Sequence, residues 1–254
     1  MRIKMKINGI ILLLAGLLPV LSPAAEIMSR SSTNLGMKRK EFSESDRGSR
    51  VSWCRLKFPV RGSSRYESQW DWHAHPSGDV KMIQVLRAYT SINLKQEWNV
   101  VDINDLDKMC AFPLIFMHGQ RLININKKAE DNLKEYILRG GFLLIDDCVY
   151  SKVAPDLFFR SMMVKLRRLL PGIKLKKLTT GHDLFKSYFH LSKWPHMQGR
   201  NNGVYAAYYK KRLVAFLYSS DLHCGWVDAG WFSYQNTQDA YKMGTNLYIY
   251  AMNN

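Results

Sequence analysis

The stretch LKEYILRGGFLLIDD, residues 133–147, constrains the fold more than any other part of the chain. Leu133, Tyr136 and Ile137 recur at helical spacing, Gly140-Gly141 stops the helix, and Phe142–Ile145 follow as an unbroken apolar run. A short apolar run bounded by turn signals reads as a strand buried on both faces, and such strands belong to sheets covered by helices. The same pattern precedes it. In FPLIFMHG the residues Leu114–Met117 are all apolar, and Asn126 is placed to cap a helix over Lys127–Arg139.

The rest of the chain repeats the alternation. VSWCRLKF from Val51 reads as a first strand, and a helix runs from about Asp79 to Tyr89, with Val80, Ile83 and Leu86 on one face. A short strand is expected near Val100–Ile103. A helix with Pro155 in its first turn ends at Leu170, before Pro171-Gly172. IKLKKL is a further strand candidate, followed by a loop holding His182, Trp194, Pro195 and His196. VYAAYYK and RLVAFLYSSD pair across Lys210-Lys211, an unfavoured turn dipeptide, and the last helix spans Thr237–Met252. The pattern predicts an α/β fold, a three-layer α/β/α sandwich with a mainly parallel sheet. Leu114–Met117 and Phe142–Ile145 should be interior neighbours, the strand from Leu213 parallel, and the strand before it antiparallel.

The ends suggest export. Arg2, Lys4 and Lys6 precede an apolar core over Ile10–Leu18, and Ser22, Ala24 and Ala25 supply small residues for cleavage. Residues 1–24 are therefore read as a signal peptide, with cleavage after Ala24 and a periplasmic or otherwise exported product. No other stretch is apolar for long enough to span a bilayer. Residues 25–50 are polar and without period, a flexible segment. Residues 51–254 are long enough for one α/β domain with its own core. The formal charge is +16, and +13 once the three basic residues of the signal are removed. That charge suits an anionic ligand or surface. The basic residues are scattered, and no zinc finger or RNA-binding aromatic motif occurs, so nucleic acid is a poor fit. Cys54, Cys110, Cys148 and Cys224 form no CxxC pair, which disfavours zinc-ribbon and thioredoxin-like readings. Export would permit a disulfide, and a bond between Cys148 and Cys224 is one candidate.

In an open α/β sheet, ligands bind beyond the carboxyl ends of the strands. Those ends carry His118-Gly119, then Asp146-Asp147-Cys148, then Ser219-Ser220-Asp221 with His223 and Cys224 just beyond. His118, Asp146, Asp147 and Asp221 are the candidate catalytic residues. The two adjacent aspartates suit a hard cation, general acid–base work, or capping of the following backbone. Adjacent residues on a strand point to opposite faces, so both reach one ligand only if the chain turns. His118 and His223 suit proton transfer or metal ligation. Cys148 suits a nucleophile, a disulfide partner or an inert thiol. GxGxxG, GxxxxGK[ST] and HExxH are all missing, which removes the nucleotide-loop and zincin readings. Trp70, Trp72, Trp194, Trp226, Trp231 and Tyr234 lie in loop-like sequence, where aromatics either line a partner surface or cover the sheet ends.

WCRLKF, FPLIFMHG, LKEYILRGGFLLIDD, HDLF, GVYAAYYKKRLVAFLYSSDLHCGW and GTNLYIYAM together resemble the DUF4159 family of bacterial proteins, over Trp53 to Met252. The resemblance implies a class I glutamine amidotransferase-like, flavodoxin-like arrangement. Two features depart from those patterns. Asp221-Leu222 is followed by His223-Cys224-Gly225, where family members often have Gly directly. Cys148 lacks the flanking glycines of an amidotransferase elbow, and no C-terminal His-Glu pair matches, so glutaminase activity is not implied. Two functions follow from the sequence. The first is a ligand- or partner-binding module of a cell-envelope complex. The second is a hydrolase-like enzyme using a carboxylate/histidine cluster, with or without a metal.

Overall fold

A computed structural model describes residues 40–41, 51–62, 72–149 and 156–253. The expected signal peptide, most of the polar segment at 25–50, Trp70 and Pro155 lie outside them. Eight strands form one sheet: β1 (Lys40–Glu41), β2 (Val51–Lys57), β3 (Leu94–Asp102), β4 (Leu114–Gly119), β5 (Phe142–Asp147), β6 (Lys174–Lys177), β7 (Val204–Tyr209) and β8 (Arg212–Tyr218). Their order is β1-β3-β2-β4-β5-β8-β7-β6. The pairs from β1 to β8 are parallel, whereas β7 and β6 are antiparallel. The expected neighbours Leu114–Met117 and Phe142–Ile145 pair in register, Leu114 with Phe142 and His118 with Asp146. β8 is parallel to β5, with β7 its antiparallel partner.

The helices are α1 (Ser77–Tyr89), α2 (Leu106–Met109), α3 (Lys127–Leu138), α4 (Leu157–Leu169), α5 (Leu222–Val227) and α6 (Tyr234–Met252), with a 3-10 turn at Asp183–Lys186. α1, α5 and α6 pack on one another, as α2, α3 and α4 do. The two groups flank a mixed, mostly parallel sheet, a three-layer α/β/α structure. Every residue of β4 and β5 is buried, so the unbroken apolar run of each satisfies a helix layer on either side. Each fully buried Leu or Ile there contributes roughly 1.5–3 kcal/mol of transfer free energy.

Two local features differ from the sequence expectation. β3 begins at Leu94, because Lys95, Gln96 and Glu97 occupy its solvent-facing half and mask the strand as polar sequence. The 222–227 segment is a helix and not a loop. Lys210 and Lys211 both have positive φ, 49° and 68°, which gives the two-residue hairpin turn matching the twist of its strands. The turn forms with an unfavoured dipeptide because β7 and β8 pair directly on either side of it, Tyr209 with Arg212, although the ladder shifts register between Ala207 and Tyr208. Lys174, Lys176 and Lys177 on the edge strand β6 leave that edge charged, which opposes pairing with another chain. Among the described residues no helix is long and apolar enough to cross a membrane.

Candidate functional site

Parallel strands connected by helical crossovers present their carboxyl ends at one rim. His118 is the penultimate residue of β4, Cys148 follows β5, and Asp221 follows β8 as the N-cap of α5. One ring nitrogen of His118, the Cys148 sulfur and one Asp221 oxygen lie within 4.8 Å of one another, and all three residues are buried. His118 Nε2 stands 3.7 Å from Asp221 Oδ1, an ion-pair distance too long for a hydrogen bond. Neither ring nitrogen of His118 has a hydrogen-bond partner among the described residues. Cys224 Sγ is 3.8 Å from Cys148 Sγ, and Gln120 Nε2 donates to Cys148 Sγ at 3.2 Å. All four cysteines are free thiols in this structure, and the candidate bond between Cys148 and Cys224 is not formed.

The loop from β8 is shaped to hold Asp221 inward. Asp221 has φ 55°, a left-handed conformation that aspartate tolerates better than most residues. Its Oδ1 accepts from Cys224 N at 3.3 Å, and its Oδ2 accepts from Gln198 Nε2. Asp146 fixes the same helix from below. Its two oxygens accept from Leu222 N at 3.1 Å and His223 N at 2.7 Å. A six-residue helix could not hold this position by propensity alone, so the carboxylate of β5 substitutes for missing helical bonds at its start. Asp147 points the other way, as strand alternation requires, and accepts from Phe159 N in the first turn of α4.

The sequence candidates are thus separated by geometry. His118 and Asp221 converge, joined by Cys148. Asp146 supports the converging loop, and Asp147 lies outside the group, on the opposite layer. Burial acts against a charged His118, but Asp221 and Cys148 together raise its pKa to about 10. The Cys148 thiol is lowered to about 7, chiefly by Cys224 and then by His118, against the effect of burial. Burial raises the Asp146 carboxyl to about 8; the Asp221 charge adds to the rise and His118 opposes it. Burial also pushes Asp147 well above the usual carboxylate range.

A second buried group, adjacent to the first, includes two residues absent from the sequence candidates. Arg55 on β2 pairs with Asp79 in α1 at 2.5 Å, both fully buried. Trp53 Nε1 donates to Asp79 Oδ1 at 2.7 Å, and Arg55 Nη1 donates to the carbonyls of Trp72 and Ala74. Arg55 Nη2 lies 2.6 Å from His223 Nε2. A guanidinium only donates, so Nε2 accepts and His223 is neutral with its proton on Nδ1. Burial, with the charges of His118 and Arg55, lowers the His223 pKa to about 3, in agreement with a neutral ring. The His223 and His118 rings are 4.3 Å apart between centroids. Gly78 is required at this contact, since a Cβ there would stand 2.6 Å from His223 Nε2. The sequence signal for this group is weak: Arg55 stands in the strand-forming WCRLKF, which also carries Lys57. Of the loop aromatics, Trp72 and Trp226 are buried over the sheet end, whereas Trp231 and Tyr234 are exposed.

The donor set itself can be tested against a metal. A relay of acid, imidazole and thiol places the two ring nitrogens on different partners. Here one nitrogen faces both the sulfur and the carboxylate, so three donors point toward one locus. Imidazole nitrogen, thiolate sulfur and carboxylate oxygen all bind zinc-class divalent ions. The orphaned nitrogens of His118 fit the same reading, because a ligand there would satisfy a buried polar group that otherwise carries a desolvation cost. A family model described as "Domain of unknown function (DUF4159)" matches residues 62–252. No curated protein matches the chain.

Proposed function

The chain belongs to the DUF4159 family, and we propose that it is a hydrolase-like enzyme, metal-assisted, centred on His118, Cys148 and Asp221. The observation that carries the proposal is the convergence of these three donors within 4.8 Å in a buried setting. The reading favours an enzyme over a purely partner-binding module, because a binding surface has no need to bury an imidazole, a thiol and a carboxylate together. The strand order β3-β2-β4-β5-β8 supports a flavodoxin-like topology, since these five parallel strands follow the 2-1-3-4-5 pattern. In that topology the direction of winding reverses between β2 and β4, which is where the fold places ligands. Arg55 on β2 and His118 on β4 stand at this reversal.

A divalent ion bound by this donor set supplies Lewis-acid activation of water or of a carbonyl or phosphoryl oxygen. The protein's own residues do the rest. Gln198 and the Cys224 N–H orient the Asp221 carboxylate, and Gln120 orients the Cys148 sulfur. The neutral His223 adds no charge beside His118. Asp146 holds the loop that carries Asp221 and Cys224.

The direct test is elemental analysis of purified protein, together with a panel of ester, amide and phosphoester substrates. The expected result is about one zinc-class ion per chain, lost in His118→Ala, Cys148→Ser and Asp221→Asn, with hydrolysis lost in parallel. A folded protein without metal and without activity on any of the three substrate classes would overturn the reading.

A further inference from the structure

Cys224 is not needed for the three-donor group, yet its sulfur stands 3.8 Å from that of Cys148. We propose that Cys148 and Cys224 form a reversible disulfide that takes Cys148 away from the metal and so switches the centre off. The inference rests on the metal-assisted reading above and adds its regulation. Four observations lead to it. The two thiols come from different elements, one just after β5 and one in the first turn of α5, so a bond between them would tie the two loops of the site. A sulfur–sulfur bond is about 2.05 Å long, so less than 2 Å of closure makes it. Gln120 donates to the Cys148 sulfur and His118 stands beside it, so the sulfur is held in place next to that of Cys224. Cys54 and Cys110 do not share this setting: Cys54 is buried with its thiol toward the Arg55 carbonyl, and Cys110 is exposed.

The oxidant is a peroxide, small enough to enter a buried site. The Cys148 thiolate attacks one peroxide oxygen. An S–O bond forms, the O–O bond breaks, and the departing hydroxide takes a proton to become water. The Cys224 sulfur then attacks the resulting sulfenic sulfur. The S–S bond forms, the S–O bond breaks, and the Cys224 proton leaves with the hydroxide as a second water. Two sulfurs give up two electrons to one peroxide, and the balance closes. A disulfide sulfur carries no anionic donor, so the ion loses one of its three ligands and is released. A dithiol reductant reverses the bond and restores the site.

The test uses the full chain, purified reduced with zinc and then treated with hydrogen peroxide. A chromogenic chelator follows zinc, and peptide mapping without reduction locates bonds. The expected result is a Cys148–Cys224 linked peptide appearing together with zinc release, both reversed by dithiothreitol and added zinc. Cys224→Ser should still hold zinc when reduced and should release it more slowly by an order of magnitude. Oxidation of Cys148 to sulfinic acid with Cys224 left free would overturn the proposal. So would zinc release from Cys224→Ser as fast as from the unaltered chain. If Cys224→Ser does not fold, the peptide map of the unaltered chain decides. Reduced protein that holds no zinc sinks the metal-assisted reading instead, while the map still reports whether the two thiols pair.

Discussion

Asp146 at the end of β5 accepts the backbone N–H of His223 at 2.7 Å, and this bond joins the centre of the sheet to the helix that Asp221 caps. The carboxylate receives a second N–H from Leu222, so it serves as an N-terminal anchor supplied by another strand. Anchors of this type contribute roughly 0.5–2 kcal/mol. Their further effect here is positional, because Asp221 and Cys224 flank the anchored turn.

Asp146 and Asp147 should therefore respond differently to substitution. Asp146→Ala frees the start of α5 and is expected to lower both stability, by about 1–2 kcal/mol, and zinc affinity. Asp147→Ala removes the acceptor for Phe159 N, costs about 1 kcal/mol, and leaves zinc content unchanged. Asp147→Asn keeps an acceptor oxygen. Since the folded state raises the Asp147 pKa, the charged carboxyl opposes folding as pH rises above the unfolded value of about 3.9. The asparagine variant should then match or exceed the unaltered chain in Tm at neutral pH. Thermal melts and metal analysis on the three variants check the contrast. Zinc loss in Asp147→Asn with Tm retained would return this residue to the site.

Acid should act through Asp79. Burial alone would raise its pKa, but the Arg55 charge, with the Trp53 N–H donor, holds it below the usual range. A depressed folded pKa contributes stability that is present above the unfolded value of about 3.9 and is lost as pH falls through the folded value. Denaturant melts below about pH 4 should show a declining stability that Asp79→Asn flattens. At neutral pH the same substitution leaves Arg55 buried without its counter-charge, at a cost of about 3–5 kcal/mol. An acid limb unchanged in Asp79→Asn would show that other groups govern it.

Export is proposed from the basic, apolar and small-residue pattern over residues 1–24. Protein recovered from the envelope fraction should start at or near Ala25, as read by N-terminal sequencing. Recovery of full-length chain from the cytosol alone would rule this out.

The mainly parallel sheet, the pairing of β4 with β5 and the shared rim could be read from the chain because their signals are local. An all-apolar run such as Phe142–Ile145 has one stable environment, a sheet covered on both faces, and right-handed crossovers send parallel strands the same way. His118 and Asp221 are therefore legible in the chain as residues of one rim. The even alternation of a strand also implied that Asp146 and Asp147 face apart, although which one would approach the site was undetermined. Tertiary structure decided that, since only the packing of α5 on one layer and α4 on the other gives each carboxylate its N–H partners. The Arg55–Asp79–His223 group was decided there too. A buried charge leaves no periodic mark on the sequence, because its partner is set by which helix crosses which strand, and Asp79 reads as an ordinary first-turn acid until α1 is laid against β2. The 3.8 Å between Cys148 and Cys224 has the same origin: 76 residues separate them along the chain, and only the register of β5 against β8 brings their loops together.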